Sequence, residues 1–229
     1  MIKAVIFDLD HTLFDRHATL RVIAPMFRKY FDINDGVTDE EIAEKWIYAD
    51  DRYVYDGWRY IFDYLKENGV FKTAPRFDDY RSFVFRTFAK TAVKYDFAYP
   101  MLIRLKKEGY KVALITNGRH ELQYKKLSLI GLRYVFDEII VSGDVMTEKP
   151  DREIFLMMCE KLGVLPNECV YVGDNPFNDI GGAKGAGMYT FHVKTVYSNP
   201  KAPAADIEIN TVADVPDALC SLEKRIAAE

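Results

Sequence analysis

The sequence has no excess of basic residues, few cysteines and no long apolar runs. Its 31 lysines and arginines are outnumbered by 35 aspartates and glutamates, so no basic stripe is available for a nucleic acid polymer. It has three cysteines, an odd number that cannot all pair in disulfides, and no two of them have the spacing of metal ligands. This favours buried free thiols in a reducing compartment. The apolar runs are too short for a membrane span, and the first of them carries acidic residues unlike a signal peptide. We therefore expect a cytoplasmic protein without nucleic acid or membrane partners, either a monomer or a homodimer.

Two carboxylates follow the first predicted strand. An apolar run over residues 2–7 leads into Asp8, and Asp10 follows two positions later. In a doubly wound α/β sheet, ligands bind at the carboxyl ends of the strands. Two carboxylates about 4 Å apart repel by roughly 4 kcal/mol at an effective dielectric constant of ~20. A bound cation would offset that repulsion, whereas a structural role would not.

The second half of the chain alternates helices and strands. Strands are predicted at 111–116, 138–142, 168–173, 188–193 and 206–210, with helices at 99–108, 119–130, 151–162, 178–186 and 215–228. Such alternation predicts a parallel sheet covered by helices on both faces. The expected fold class is α/β, a three-layer doubly wound parallel sheet (Rossmann-like).

The segment between the first strand and this alternation has helical periodicity instead. Helices are predicted over 16–31, from Thr38 toward Gly69 with a break near Gly57, and over 76–95. The domain prediction is therefore an α/β catalytic domain of residues 1–14 and 99–229, with an inserted helical cap of residues 15–98. Since the insertion leaves directly after the Asp8 loop, we expect it to act as a lid.

Acidic residues at two strand ends suggest phosphoryl transfer. Asp8 can attack phosphorus, and Asp10 can protonate the leaving alkoxide and then activate water. Asp174 and Asp179 follow a later strand and complete an oxygen-rich site suited to Mg²⁺.

Phosphate-binding groups are predicted at the remaining strand ends. Thr116 offers a hydroxyl, and the turn at Asn117 and Gly118 offers backbone N–H groups to phosphoryl oxygens. Lys149 offers a fixed positive charge to those oxygens and to Asp8.

Four segments carry these residues, and they follow one another along the chain at positions 8–12, 116–118, 149 and 174–179. They resemble the four signature motifs of the haloacid dehalogenase-like (HAD) hydrolase superfamily, specifically of its phosphatase branch with a C1-type helical cap. The resemblance spans nearly the whole chain. It implies a Mg²⁺-dependent phosphatase that hydrolyses a small phosphomonoester, of the nucleotide or sugar phosphate class, through an aspartyl-phosphate. Thr12 and Asp179 are expected to support the site, Asp179 through a metal-bound water or Lys149.

The remaining roles follow from the same resemblance. Asp8 matches the nucleophile, Asp10 the general acid/base, Thr116 the phosphate-binding hydroxyl and Lys149 the lysine of the third motif. Asp174 matches the acid that holds the metal ion together with Asp8 and the backbone carbonyl of Asp10.

Alternative functions remain open on the same scaffold. A phosphosugar mutase keeps both aspartates, whereas the 2-haloacid dehalogenase branch does not use the second one, so the presence of Asp10 disfavours the latter. A signalling receiver domain ranks lower, since its phosphoacceptor does not precede another acid on the first strand. The aromatic residues at 53–64, Tyr55 among them, mainly predict a helical core, with nucleobase stacking as the alternative.

Overall fold

A parallel sheet forms the centre of the larger of two compact units. The computed structural model describes residues 1–53, 56–194 and 203–228, and Tyr55 lies outside these ranges. The strands found in this described part are β1 (Ala4–Phe7), β2 (Lys111–Thr116), β3 (Glu138–Val141), β4 (Cys169–Gly173), β5 (Tyr189–Val193) and β6 (Ile207–Ile209). All pair in parallel, in the order β3-β2-β1-β4-β5-β6.

Strand β1 lies in the middle of this sheet, as its composition requires. Every residue of β1 is buried, and Val5 is in register with Val112 of β2 on one side and Val170 of β4 on the other. A run without polar side chains fits a strand that is covered on both faces. Asp8 therefore emerges at the carboxyl edge, between the ends of β2 and β4.

Helices cover both faces of the sheet. Ala4 and Ile6 share an apolar core with Phe155, Met158 and Ala183, which come from the helices on one face. The helices of this unit are α5 (Ala98–Lys107), α6 (His120–Leu129), α7 (Arg152–Leu162), the short α8 (Gly182–Gly185) and α9 (Val215–Ile226). Helices α5 and α9 contact each other and, respectively, β2 and β6. The predicted α/β fold class is confirmed.

The second unit, Asp15–Val93, is helical. Its helices are α1 (Arg16–Tyr30), α2 (Asp39–Tyr53), α3 (Trp58–Glu67) and α4 (Phe77–Phe88). Aromatic rings form its core: the Phe27 ring centroid lies 4.8 Å from that of Trp46 and 6.2 Å from that of Tyr80, and all three side chains are buried.

A buried ion pair also lies within the helical unit. Arg16 donates two hydrogen bonds to the carboxylate of Asp50, the Nη2 bond to Oδ1 measuring 2.7 Å, and Asp50 is fully buried. A charge this deeply buried needs such a partner.

The chain returns to the α/β unit at Lys94, earlier than the boundary of residue 98 expected from the sequence. Phe14 forms an antiparallel bridge with Lys94, and the Tyr95 N–H donates to the Leu13 carbonyl at 3.4 Å. The helix expected over 76–95 ends at Phe88, and residues 94 and 95 make these backbone contacts instead.

One further difference from the expected elements follows β4. The helix expected over 178–186 is a π-helix, Pro176–Gly181, followed by α8, because the Asn175 side chain accepts from the N–H groups of Phe177 and Asn178. The loop expected over 198–205 lies outside the described residues up to position 202. No helix in the described part of the chain is long and apolar enough to cross a membrane.

Candidate active site

A tight turn carries Asp8 and Asp10 away from β1. The Asp8 N–H donates to the Val172 carbonyl at 2.9 Å, which fixes the backbone of Asp8 beside β4. His11 adopts a left-handed conformation at φ 59°, and the N–H of Phe14 returns to the Leu9 carbonyl. The turn places the carboxylates of Asp8 and Asp10 at the sheet edge, as the sequence suggested.

Lys149 joins two of the predicted acids. Its Nζ lies 2.5 Å from Asp8 Oδ1, 2.6 Å from Asp179 Oδ1 and 2.9 Å from the Tyr171 hydroxyl. All four side chains are buried. Burial disfavours the ammonium, but the carboxylates of Asp179 and Asp8 outweigh it and hold the pKa of Lys149 well above its usual value. Lys149 is therefore a permanent cation in this site.

Asp8 is the acid most affected by its surroundings. Burial raises the pKa of Asp8 to about 7, with Asp179 and Asp10 adding to the shift and Lys149 opposing it. A carboxyl in this environment ionises readily only when further positive charge is nearby.

Three buried carboxylates lie close enough to share a cation. Asp8, Asp174 and Asp179 each offer an oxygen, and these oxygens lie within 4.8 Å of one another. The set consists of oxygen donors alone, which is the chemistry that Mg²⁺ prefers. The residues present therefore fit a magnesium ion. The backbone of Asp174 is held as well, since His192 Nε2 lies 3.0 Å from its carbonyl oxygen.

The position of Asp179 depends on a glycine. A Cβ atom at Gly173 would lie 2.5 Å from Cγ of Asp179, so no other residue type fits there without a shift. Asp179 Oδ2 also accepts from the Asn175 N–H at 3.0 Å. The end of β4 thus holds Asp179 against Lys149.

The loop after β2 is tied to Lys149 and to β3. The Asn117 side chain exchanges two hydrogen bonds of 2.9 Å with the backbone N–H and carbonyl of Lys149. The Gly118 N–H, expected to face a phosphoryl group, donates to Ser142 Oγ at 3.0 Å. Thr116 is buried beside these groups, as is Thr12, whose hydroxyl has no hydrogen-bond partner among the described residues.

Two residues that the sequence analysis missed contact Asp10. Lys126 Nζ lies 2.7 and 2.9 Å from the two carboxylate oxygens of Asp10, and Gln123 Nε2 lies 3.1 Å from Oδ2. Both come from α6, three positions apart and hence on one helix face. The three-residue spacing places them on one helix face, but the sequence does not show that this face is buried.

Comparison with known proteins agrees with this geometry. A family model described as haloacid dehalogenase-like hydrolase matches residues 5–193. A glyceraldehyde 3-phosphate phosphatase of Methanopyrus kandleri is 30% identical over 223 residues, covering 95% of this chain and 92% of the relative. An N-acylneuraminate-9-phosphatase of Mus musculus is 27% identical over 248 residues, covering 99% and 97%. The crystal structure of a HAD phosphatase from Thermococcus onnurineus has a TM-score of 0.65 at 29% identity, covering 95% and 98%.

The parallel sheet and the acidic cluster at its carboxyl edge form an α/β architecture, and the relatives that share it are hydrolases. The chain belongs to the haloacid dehalogenase-like hydrolase family. The resemblance drawn from the sequence motifs is thereby confirmed, and so is the expectation of a hydrolase.

Proposed function

We propose that the chain is a Mg²⁺-dependent phosphatase that hydrolyses a small phosphomonoester through an aspartyl-phosphate on Asp8. The observation that carries this proposal is the network of Lys149, Asp8 and Asp179, with Asp174 beside it. It combines a carboxylate nucleophile, a fixed cation and a cation-binding set of oxygens, as phosphoryl transfer requires.

The proposed first step transfers the phosphoryl group to the protein. An Asp8 oxygen forms a bond to phosphorus while the bond to the substrate oxygen breaks, and Asp10 gives its proton to that departing oxygen. Lys149 favours the ionised form of Asp8, with a bound cation supplying the further positive charge that Asp8 needs. Lys149 also faces the negative phosphoryl oxygens, to which the Thr116 hydroxyl and the backbone N–H of Asn117 donate. In the second step Asp10 takes a proton from water, whose oxygen attacks phosphorus and releases Asp8.

We propose that Asp8, Asp174 and the backbone carbonyl of Asp10 hold the magnesium ion, with Asp179 acting at longer range. The ion would reduce the repulsion between the Asp8 carboxylate and a dianionic substrate. Thr12 would support the loop between the two aspartates.

The names of two relatives that match over nearly the whole chain favour one substrate class. Glyceraldehyde 3-phosphate and N-acylneuraminate 9-phosphate are both phosphorylated carbohydrates. We therefore place a sugar phosphate ahead of a nucleotide. We also propose that the helical insertion, Asp15–Val93 in the structure, acts as the cap that sets this choice, and that the protein works in the cytoplasm.

A phosphate-release assay over phosphosugars and nucleotides tests the proposal. We expect release that needs Mg²⁺, stops with EDTA and falls at least about 10³-fold in Asp8→Asn. The matched control is Asp217→Asn, an exposed aspartate of α9, which should keep full activity. Isomerisation of a phosphosugar without phosphate release would instead indicate a mutase, and halide release from a 2-haloacid a dehalogenase.

A further inference from the structure

One face of α6 points two polar side chains at the catalytic loop. Gln123 is 2% exposed and Lys126 is 3% exposed. A lysine is almost never buried to this extent unless it is paired. Neither residue belongs to the set that the motifs assign, so their burial calls for a separate explanation.

Lys126 holds the carboxylate of Asp10 from one side. Its ammonium contacts both carboxylate oxygens, at 2.7 and 2.9 Å, and lies 4.9 Å from the centroid of the Phe14 ring. Contact with both oxygens restricts rotation of the carboxylate about its terminal bond. The Phe14 ring in turn restricts the ammonium, since a cation over an aromatic face is attracted to it.

Gln123 links Asp10 to the phosphate-binding loop. Its Nε2 lies 2.5 Å from Thr116 Oγ1, 3.1 Å from Asp10 Oδ2 and 3.1 Å from the Asn117 carbonyl oxygen. A backbone carbonyl only accepts hydrogen bonds, so the amide nitrogen must face this group. Thr116 Oγ1 accepts from Gln123, and its own hydroxyl hydrogen faces the Asn117 carbonyl oxygen at 3.5 Å, a long contact that a substrate oxygen could replace.

We propose that Lys126 and Gln123 are positioning residues for the reaction. Lys126 orients the Asp10 carboxyl group toward the leaving oxygen. Gln123 contacts both Asp10 and Thr116 and so fixes the distance between them. The proton donor and the phosphate-binding hydroxyl can therefore act on the same substrate molecule. The proposal rests on the proposed function, in which Asp10 is the general acid. A misplacement of about 1 Å in such a group costs up to about 100-fold in rate.

The test compares two substrates that differ in their need for a proton. The leaving group of p-nitrophenyl phosphate departs without protonation, whereas that of an alkyl phosphate needs the acid. We expect Lys126→Met to lower kcat/KM about 100-fold for the best alkyl phosphate of the panel and less than about fivefold for p-nitrophenyl phosphate. Lys126→Arg should recover part of the difference, and Gln123→Leu should raise KM for both substrates.

Controls separate this role from a structural one. Lys125→Met, at the exposed neighbouring position of α6, should leave the ratio of the two substrates unchanged. Equal losses on both substrates in Lys126→Met, with Lys126→Arg no better, would overturn the proposal. If the methionine variant does not fold, Lys126→Gln is measured in its place and interpreted in the same way.

Asp10→Asn distinguishes failure of this proposal from failure of the proposed function. If Asp10→Asn discriminates between the substrates and Lys126→Met does not, the positioning role is wrong and the acid role stands. If Asp10→Asn shows no discrimination either, Asp10 is not the acid and both proposals fail.

Discussion

Lys149 Nζ lies 2.5 Å from Oδ1 of Asp8, although the two residues are 141 positions apart in the chain. The ammonium also contacts Asp179, so two carboxylates share a single buried cation, which balances the charge of only one of them. The charge balance of the site thus depends on a contact that only the folded sheet creates.

Replacing Lys149 with methionine removes this cation. We expect kcat for phosphate release to fall by about 10²–10³, because Lys149 is the fixed charge that faces the phosphoryl oxygens. Steady-state kinetics on p-nitrophenyl phosphate measures the loss. Lys161→Met, a half-exposed lysine of α7, is the matched control, and activity equal to that of the wild type in Lys149→Met would contradict the assignment.

The raised pKa of Asp8 predicts how stability responds to pH and magnesium. Without metal, the folded state binds the Asp8 proton more tightly than the unfolded state, whose ordinary pKa is 3.8. The free energy of unfolding should therefore fall as the pH rises from about 4 to about 7 and then level off.

A divalent cation replaces that proton, so Mg²⁺ should raise Tm more at about pH 8 than at about pH 5. Thermal unfolding with Mg²⁺ or with EDTA measures the shift, and Asp8→Asn should remove most of its pH dependence. Identical shifts at both pH values would count against a magnesium site at Asp8.

Gly173 and Gly185 form a matched pair for testing the close approach of Asp179. A Cβ at Gly173 would overlap the Asp179 carboxylate, so Gly173→Ala should destabilise the fold by about 1–3 kcal/mol and lower activity. A Cβ at Gly185 meets nothing within 4 Å, so Gly185→Ala should be neutral or stabilise by up to about 1 kcal/mol. Urea unfolding measures the change in the free energy of unfolding for the two variants. A Gly173→Ala variant as stable as the wild type would show that Asp179 can move away from the end of β4 without cost, which contradicts the prediction.

The helical unit offers a test of its buried ion pair. Arg16→Met leaves Asp50 buried without the guanidinium, so we expect a loss of about 3–5 kcal/mol in the free energy of unfolding. Arg59 pairs with Asp63 on an exposed surface, and Arg59→Met should cost less than about 1 kcal/mol. Comparable losses in the two variants would contradict the special role of burial.

The positions of the strands could be predicted from the sequence because buried strands are short apolar segments that local composition reveals. Residues 111–116 form an apolar run that ends in Thr116, and β2 has these same bounds. The predicted site residues lie at the end of a strand, as Thr116 does, or in the segment that follows one, and a parallel sheet gathers such segments at one edge. Asp8, Lys149 and Asp179 could therefore be placed near one another without coordinates.

The roles of Gln123 and Lys126 could not be predicted in the same way. On a helix, glutamine and lysine are ordinary surface residues, and only the packing of α6 decides that this face is buried. The same holds for Gly173: the sequence predicts it as the last residue of a strand, and only the structure shows that the Asp179 carboxylate occupies the space where its side chain would lie. Such relations depend on tertiary contacts rather than on local pattern.

The bridge between Phe14 and Lys94 has an architectural consequence. The chain leaves the α/β unit after Phe14 and returns to it at Lys94, and these two residues are paired through their backbones. Residues 15–93 are therefore an insertion whose two ends lie side by side. A short turn joining positions 14 and 94 would keep in the chain all eight predicted acids and phosphate ligands, namely Asp8, Asp10, Thr116, Asn117, Gly118, Lys149, Asp174 and Asp179. This junction is therefore the place at which a replacement for the helical unit would be joined to the α/β unit.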